Sequence, residues 1–172
     1  KGEFDKAIEN FDEAIRLEPE DPDAWYMRGH AYDDKGEFDK AIENFDEVIR
    51  LAPEYPLAWC YRGLAFSYKG ELDKAFESYD KEISLNPENA AAWFYRGCAW
   101  GEKGEPDKAI ENFDEAIQLD PEYALAWCNR GHMYSDKGEH DKAIENLDQA
   151  IHLDPEFAYS WHYRAFVYNE TN

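Results

Sequence analysis

Apolar residues recur along the chain at spacings that place them on one face of an α-helix. Between residues 38 and 49 they lie three, four or seven positions apart, which is the period of an amphipathic helix. These positions are Phe38, Ala41, Ile42, Phe45 and Ile49. We name this segment helix B and expect it to end before Pro53, because proline cannot continue a helix.

A second apolar stripe comes before helix B and predicts another helix, which we name helix A. Trp25, Gly29 and Tyr32 share one face of it, and the small Gly29 would let a neighbouring helix approach closely. Lys35-Gly36 then interrupts the pattern, and glycine is suited to the left-handed conformation that closes a helix. Because the connections are short, helices A and B are predicted to form an antiparallel hairpin.

This pattern repeats along the whole chain with a period of 34 residues. The segment KGEFDKA at Lys1 returns with one substitution or none at Lys35, Lys69, Lys103 and Lys137. We predict four complete repeats, at residues 22–55, 56–89, 90–123 and 124–157. A lone helix B at residues 1–21 and a lone helix A at residues 158–172 flank them. Single hairpins cannot bury both apolar faces, so neighbouring repeats must stack.

The spacing W-x2-[L]-G-x2-Y…A-x3-F…P resembles the tetratricopeptide repeat. In this chain the matching residues are Trp25, Arg28, Gly29, Tyr32, Ala41, Phe45 and Pro53. The resemblance covers the whole chain. It implies an all-α fold, a right-handed α-solenoid of antiparallel helix pairs, and a scaffold that binds proteins.

The chain departs from that family pattern at three positions of the repeat. Arginine replaces the usual leucine in all five copies, Ala165 replaces glycine in the last, and Glu82 stands where other copies have alanine or valine. We expect looser packing or a compensating ion pair at Glu82.

The arginines recur at Arg28, Arg62, Arg96, Arg130 and Arg164, and each period also has one aspartate at a fixed offset. These aspartates are Asp12, Asp46, Asp80, Asp114 and Asp148. We favour Arg-Asp pairs between helices A and B, with the arginine stem held against tryptophan. The alternative is a ladder of arginines that binds anionic ligands. Asp12 with Arg16 and Asp46 with Arg50 also have the order that favours i,i+4 pairs within a helix.

The charge narrows the choice of partners. Asp and Glu outnumber Lys and Arg by 39 to 18, for a formal net charge of -21, so nucleic acid and membranes are unfavourable partners. Most of this excess lies on the non-apolar face of helix B, where it is expected to be solvated. Three cysteines without CxxC spacing favour a reducing compartment, so we expect a cytoplasmic location and no metal site. No Gly-rich phosphate loop, nucleophile elbow or HExxH motif occurs, and we expect neither an enzyme nor a cofactor.

The resemblance also implies a binding surface, because stacked A helices in that family line a concave groove that holds a peptide or a partner helix. Carried over position by position, the groove residues are Tyr26, His30, Asp33, Tyr61, Leu64, Tyr68, Phe94, Tyr95, Cys98, Asn129, His132, His162 and Tyr163. This surface is aromatic with an acidic rim, which suits a partner segment of basic and apolar character. The alternative is that these rings merely fill a tightly wound groove.

Two other functions stay open at this point. The lone helices at the two ends would together make one repeat, so head-to-tail docking would give a self-assembling scaffold, a homo-oligomer. The chain could equally be the repeat region of a larger protein whose activity lies elsewhere.

Overall fold

The computed structural model describes residues 2–171, which form ten α-helices joined by short turns. In chain order these are α1 Gly2–Leu17, α2 Pro22–Asp34, α3 Phe38–Leu51, α4 Ala58–Tyr68, α5 Leu72–Leu85, α6 Ala90–Glu102, α7 Pro106–Leu119, α8 Ala124–Asp136, α9 His140–Leu153 and α10 Ala158–Glu170. The even-numbered helices are the predicted A helices and the odd-numbered ones the predicted B helices. Residues 1 and 172, the outer limits of the predicted half-repeats, lie outside the described residues.

The helices group into two compact units, residues 1–86 (unit 1) and residues 87–172 (unit 2). Within unit 1, α1 packs on α2, α2 on α3, α3 on α4 and α4 on α5. Within unit 2 the same order runs from α6 to α10. The predicted all-α fold of sequential antiparallel helix pairs is confirmed.

Glycine has two separate uses in each hairpin. At the A-to-B turns Gly36, Gly70, Gly104 and Gly138 have φ between +72° and +77°, the left-handed conformation expected there. Inside helix A, glycine makes room for helix B. A Cβ at Gly63 would lie 2.6 Å from the Tyr79 ring, and one at Gly97 would lie 2.7 Å from the Phe113 ring.

The tryptophan near the start of each helix A fixes the turn that precedes it. The indole Nε1 of Trp93 donates a hydrogen bond to the carbonyl oxygen of Pro87, 3.0 Å away. The same 3.0 Å bond joins Trp25 to Pro19, Trp59 to Pro53, Trp127 to Pro121 and Trp161 to Pro155. The recurring Trp and Pro therefore act together, and each pair closes a B-to-A turn.

The arginines pair with aspartates, as predicted. Arg28 Nη1 lies 2.5 Å from Asp12 Oδ1 in the preceding helix B, and its guanidinium lies 4.7 Å from the centre of the Trp25 ring. Arg62 binds Asp46 in the same way, Arg130 binds Asp114 and Arg164 binds Asp148. These four guanidinium groups are already neutralised, which disfavours a ladder for anionic ligands.

A second partner of these arginines was not predicted. Arg28 Nε donates to Asn44 Oδ1 at 2.8 Å, and Asn44 in turn donates to the carbonyl oxygen of Lys40 at 2.7 Å. Arg96 and Arg130 bind Asn112 and Asn146 in the same way, and Arg62 binds Ser78. An arginine such as Arg28 therefore joins three consecutive helices. This contact could have been predicted from the sequence, because an asparagine recurs with the repeat at Asn10, Asn44, Asn112 and Asn146.

The charges of the KGExDKA segment form another set of bonds between repeats. Lys35 Nζ lies 2.7 Å from Asp5 in the preceding helix B and 2.8 Å from Glu37. Lys69 pairs likewise with Asp39 and Glu71, and Lys137 with Asp107 and Glu139. Hydrogen bonds from Lys35 and Lys40 lower the pKa of Glu37 to about 2. These ion pairs therefore give the recurring charged residues of the KGExDKA segment a structural role.

The expected i,i+4 pairs within helix B are wrong. Arg16 binds Glu13 at 2.5 Å, and Arg50 binds Glu47 at 2.6 Å, both with i,i+3 spacing. The reason is competition, because Arg28 and Arg62 already hold Asp12 and Asp46 from the neighbouring A helices.

Glu82 is buried in unit 1 with 1% of its surface exposed. Its Oε1 accepts a hydrogen bond from the Asn86 side-chain amide at 3.1 Å. Both residues depart from the other copies, which have alanine or valine at the first position and Glu18, Ala52, Asp120 or Asp154 at the second. Asn86, one helical turn away, is thus a neutral hydrogen-bond donor to the buried Glu82 carboxylate.

Candidate partner-binding surface

Aromatic rings gather on the A helices of unit 1. His30 of α2 lies between two tyrosines, with its ring centre 4.5 Å from that of Tyr26 and 4.2 Å from that of Tyr61 in α4. Both contacts are edge-to-face, the favourable geometry for aromatic pairs. Phe45 of α3 supports all three rings from the core side, at 5.5 to 6.1 Å.

Tyr55, in the turn between α3 and α4, joins this group and was not predicted. Its ring centre lies 5.0 Å from that of Tyr26, and its hydroxyl donates to Asp23 Oδ1 at 2.6 Å. Burial and this hydrogen bond raise the pKa of Tyr55 to about 12. We call Tyr26, His30, Tyr55 and Tyr61 the unit 1 ring cluster. All four residues are half-buried.

The electrostatics of this cluster are set by partial burial. Burial lowers the pKa of His30, against a smaller opposite effect of Asp34, so His30 is neutral at neutral pH. Burial, followed by repulsion from Asp34, raises the pKa of Asp33 from 3.8 to about 6. Because the folded pKa of Asp33 is above its ordinary value, this group lowers the stability of the fold as pH rises from 3.8 to about 6.

Leu64 and Tyr68, the other two unit 1 candidates, follow along α4. Leu64 is half-buried. Tyr68 is 60% exposed and stacks on Phe38 of helix B, with ring centres 5.0 Å apart and planes inclined by 24°. Tyr68 therefore lies at the beginning of helix α3, where it covers the Phe38 ring.

In unit 2 the structure places Phe94 differently from the prediction. Phe94 is only 6% exposed and belongs to the core with Phe113 and Met133, so it offers a partner almost no surface. Helices α6 and α8 pack side by side, and Phe94 of α6 lies in one core cluster with Met133 of α8. Tyr95 and Cys98 are half-buried against the same core.

The remaining unit 2 candidates gather between α8 and α10. His132 stacks on Tyr163 with ring centres 4.2 Å apart, and His162 lies 5.9 Å from Tyr163. Tyr159 lies 6.4 Å from Tyr163. We call these four residues the unit 2 ring cluster. Asn129 lies on α8, and its amide donates to the carbonyl oxygen of Leu125 in its own helix.

The cysteines are free thiols, and burial raises the pKa of each. Cys60 and Cys128 are 1% exposed, which makes them core residues and not groove residues. Within residues 2–171 no three His, Cys, Asp or Glu side chains are grouped so that they could hold a metal ion. Nor does any helix in that range have the length and apolar character required to cross a membrane.

Comparison with protein families identifies the class of this protein. Models described as "Tetratricopeptide repeat" match residues 1–56, 26–90 and 124–157, and one described as "TPR repeat" matches residues 102–138. The chain belongs to the tetratricopeptide repeat (TPR) family. This is a family of scaffolds that mediate protein-protein interactions and are usually non-catalytic. A comparison with curated proteins found no match.

Solved structures agree with the family assignment. MamA is 28% identical, with 92% of each chain covered and a TM-score of 0.79. YrrB, a TPR protein with an unusual peptide-binding site, is 26% identical over 94% of this chain and 83% of its own, with a TM-score of 0.72. A thermophilic TPR protein of Thermus thermophilus, TTC0263, is 22% identical over 96% and 91%, with a TM-score of 0.81, and supports the fold alone.

Proposed function

We propose that the chain is a protein-interaction scaffold that binds a peptide or partner helix of basic and apolar character on the groove-lining faces of its A helices. The observation that carries this proposal is the unit 1 ring cluster, in which His30 packs between Tyr26 and Tyr61 and all three residues are only half-buried. Clusters of half-exposed aromatic rings are typical of the centres of protein interfaces. The family assignment supports the same conclusion.

The charge of the chain favours a basic partner. Its net charge of -21 attracts cationic segments over several ångströms, and Asp23 and Asp33 lie beside the rings. Aromatic faces add a short-range attraction for lysine and arginine. Aliphatic residues of the same segment would pack on the exposed ring surfaces.

Replacing Tyr61 tests this proposal. Peptides are selected from a displayed library of random dodecapeptides against the unaltered chain, and their affinities for Tyr61→Ala are then measured by fluorescence anisotropy. Because Tyr61 contributes a central ring of the cluster, we expect affinity to fall roughly tenfold or more. Tyr168→Ala, which removes a 47% exposed tyrosine outside both ring clusters, is the control and should bind normally.

The proposal is wrong if Tyr61→Ala binds the selected peptides as tightly as the unaltered chain while its helical circular dichroism is unchanged. It is also wrong if the selected peptides are predominantly acidic.

A second candidate function is head-to-tail self-association of α10 with α1 of another copy. Arg130 has both of its usual partners, Asp114 and Asn146. Arg164 of α10 binds Asp148, whereas its Nε has no asparagine partner within residues 2–171. Asn10 of α1, which carries the same bond to its own helix as Asn44, would complete the set from a second copy. Tyr159, Trp161, Phe166 and Tyr168 are 45 to 62% exposed on α10.

Ala165 makes self-association testable. It stands where Gly29, Gly63, Gly97 and Gly131 give helix B room, so its methyl group opposes the approach of Phe11 from another copy. If the copies dock in the repeat geometry, Ala165→Gly should strengthen association, measured as mass against concentration by light scattering. A monomer mass that is independent of concentration for both proteins would eliminate this candidate.

A further inference from the structure

One acidic residue of unit 1 stands where the following repeats have small neutral residues. Asp33 lies near the end of α2, and the equivalent residues of the other complete repeats are Ser67, Gly101 and Ser135. In the next repeat, the Ser67 hydroxyl lies 3.2 Å from the hydroxyl of Tyr79 in helix B, and the two are hydrogen-bonded. In the repeat of Asp33, Phe45 replaces that tyrosine and has no hydroxyl to offer.

Asp33 has no cationic partner among the residues that the structure describes. Its Oδ1 is buried and has no hydrogen-bond partner among residues 2–171. Lys35, the nearest lysine in sequence, is bound to Asp5 and Glu37 at 2.7 and 2.8 Å. Burying an ionised carboxylate without a partner is unfavourable, so this position is suited to a cation from outside the chain.

The groups that surround Asp33 are neutral or negative. On its own helix these are Asp34, which is exposed, and His30, whose lowered pKa keeps it uncharged at neutral pH. On α4 the facing group is Tyr61, whose pKa is raised chiefly by burial. On α3 the neighbour of this ring cluster is Phe45, which is apolar.

We propose that Asp33 is the receptor for a basic side chain of the bound peptide, pairing with its ammonium or guanidinium group while Tyr61 and His30 flank the alkyl stem. This inference rests on the proposed peptide-binding function and assigns the basic anchor of the peptide to one position. A desolvated ion pair of this kind fixes the register of the peptide along the ring cluster.

Binding of the basic side chain should depend on pH. The pKa of Asp33 is raised to about 6, and only the ionised carboxylate attracts a cation. Affinity for a basic side chain is therefore expected to fall as pH is lowered from about 7.5 to about 5. Glu37 and Glu71, with pKa values lowered to about 2, stay ionised over that range and do not contribute to this change.

The test uses N-acetyl-arginine amide as probe and the full chain labelled with carbon-13 at aspartate carboxyl groups. We expect a saturable NMR shift of the Asp33 carboxyl signal, and a lower Asp33 titration midpoint in the presence of the probe. N-acetyl-citrulline amide, which has nearly the same shape without the charge, should cause neither change. The inference is overturned if the citrulline probe acts equally or if the Asp33 signal does not respond.

Two variants complete the experiment, with the ring signals of Tyr61 as the common readout. Asp33→Asn, close in shape, should weaken binding of the arginine probe roughly tenfold or more. Asp34→Asn removes the same charge from the adjacent, exposed residue and should retain binding at a pH of about 7.5, where Asp33 is ionised. Equal losses in the two variants would mean that general negative charge, and not Asp33, attracts the probe.

The outcomes also separate this inference from the proposed function. If Tyr61→Ala weakens binding of the selected peptides but the arginine probe does not shift the Asp33 carboxyl signal, the proposed peptide-binding function stands. The role of Asp33 as receptor for a basic side chain is then rejected. If the probe binds through Asp33 but Tyr61→Ala leaves peptide affinity unchanged, the receptor stands and the groove proposal is rejected.

Discussion

Gly97→Ala should destabilise the protein by about 3 kcal/mol, at the upper end of the range for overpacking a core with one methyl group. The added Cβ would lie 2.7 Å from Phe113 Cε1 and 2.9 Å from Cδ1. Phe113 is 1% exposed and cannot move away without displacing its neighbours in the core of unit 2. Urea denaturation followed by circular dichroism measures the loss.

Gly101→Ala is the matched control on the same helix, one turn further along. Its Cβ would meet the Met133 sulfur at 3.3 Å, and methionine is flexible enough to adjust. Since alanine also favours a helix over glycine by about 1 kcal/mol, we expect this variant to be neutral or slightly more stable. Equal losses for Gly97→Ala and Gly101→Ala would show that the close approach of helix B is unimportant.

Trp93→Ala should cost about 3 to 5 kcal/mol, the usual range for removing a large aromatic side chain from a core. Trp93 packs on the core of unit 2, donates to the carbonyl oxygen of Pro87 and supports the Arg96 guanidinium 4.6 Å from its ring centre. All three contacts are lost together. The expected result is a large decrease in the urea midpoint.

Trp161→Ala separates burial from the local contacts of the ring. Trp161 has the same hydrogen bond to a proline carbonyl, at 3.0 Å, and the same stacked arginine at 4.6 Å, yet it is 45% exposed. We expect a clearly smaller decrease than for Trp93→Ala. If both variants lose equal stability, the turn bond and the arginine contact decide the effect, and core packing does not.

The hairpins were predictable because one physical pattern recurs five times. Apolar spacing within a period gives two helices, and Gly36 with Pro53 marks where they stop. The Arg-Asp pairs were predictable for the same reason, since both residue types recur at a fixed offset. The Lys35–Asp5 bond was harder to foresee, because its partners are 30 residues apart and belong to neighbouring repeats.

The candidate surface was predicted less accurately than the fold. Helix periodicity shows which face of α6 turns away from α7, but α8 covers part of that face, and Phe94 is buried there as a result. Tyr55 was missed because it lies in a turn, outside the helical pattern, although the equivalent Tyr123 and Phe157 are also aromatic. Tyr26, His30 and Tyr61 of α2 and α4 are in ring contact, and their role as a binding surface stays a prediction.

The arginine bridges affect how such an array can change in length. Arg28 reaches Asp12 and Asn44, each 16 residues away in opposite directions, and both distances are shorter than one period. An in-frame duplication or deletion of one whole period would therefore preserve a complete set of partners at the new junction. Loss of half a period would leave a guanidinium or a carboxylate unmatched, so this bonding pattern favours growth in whole steps during evolution.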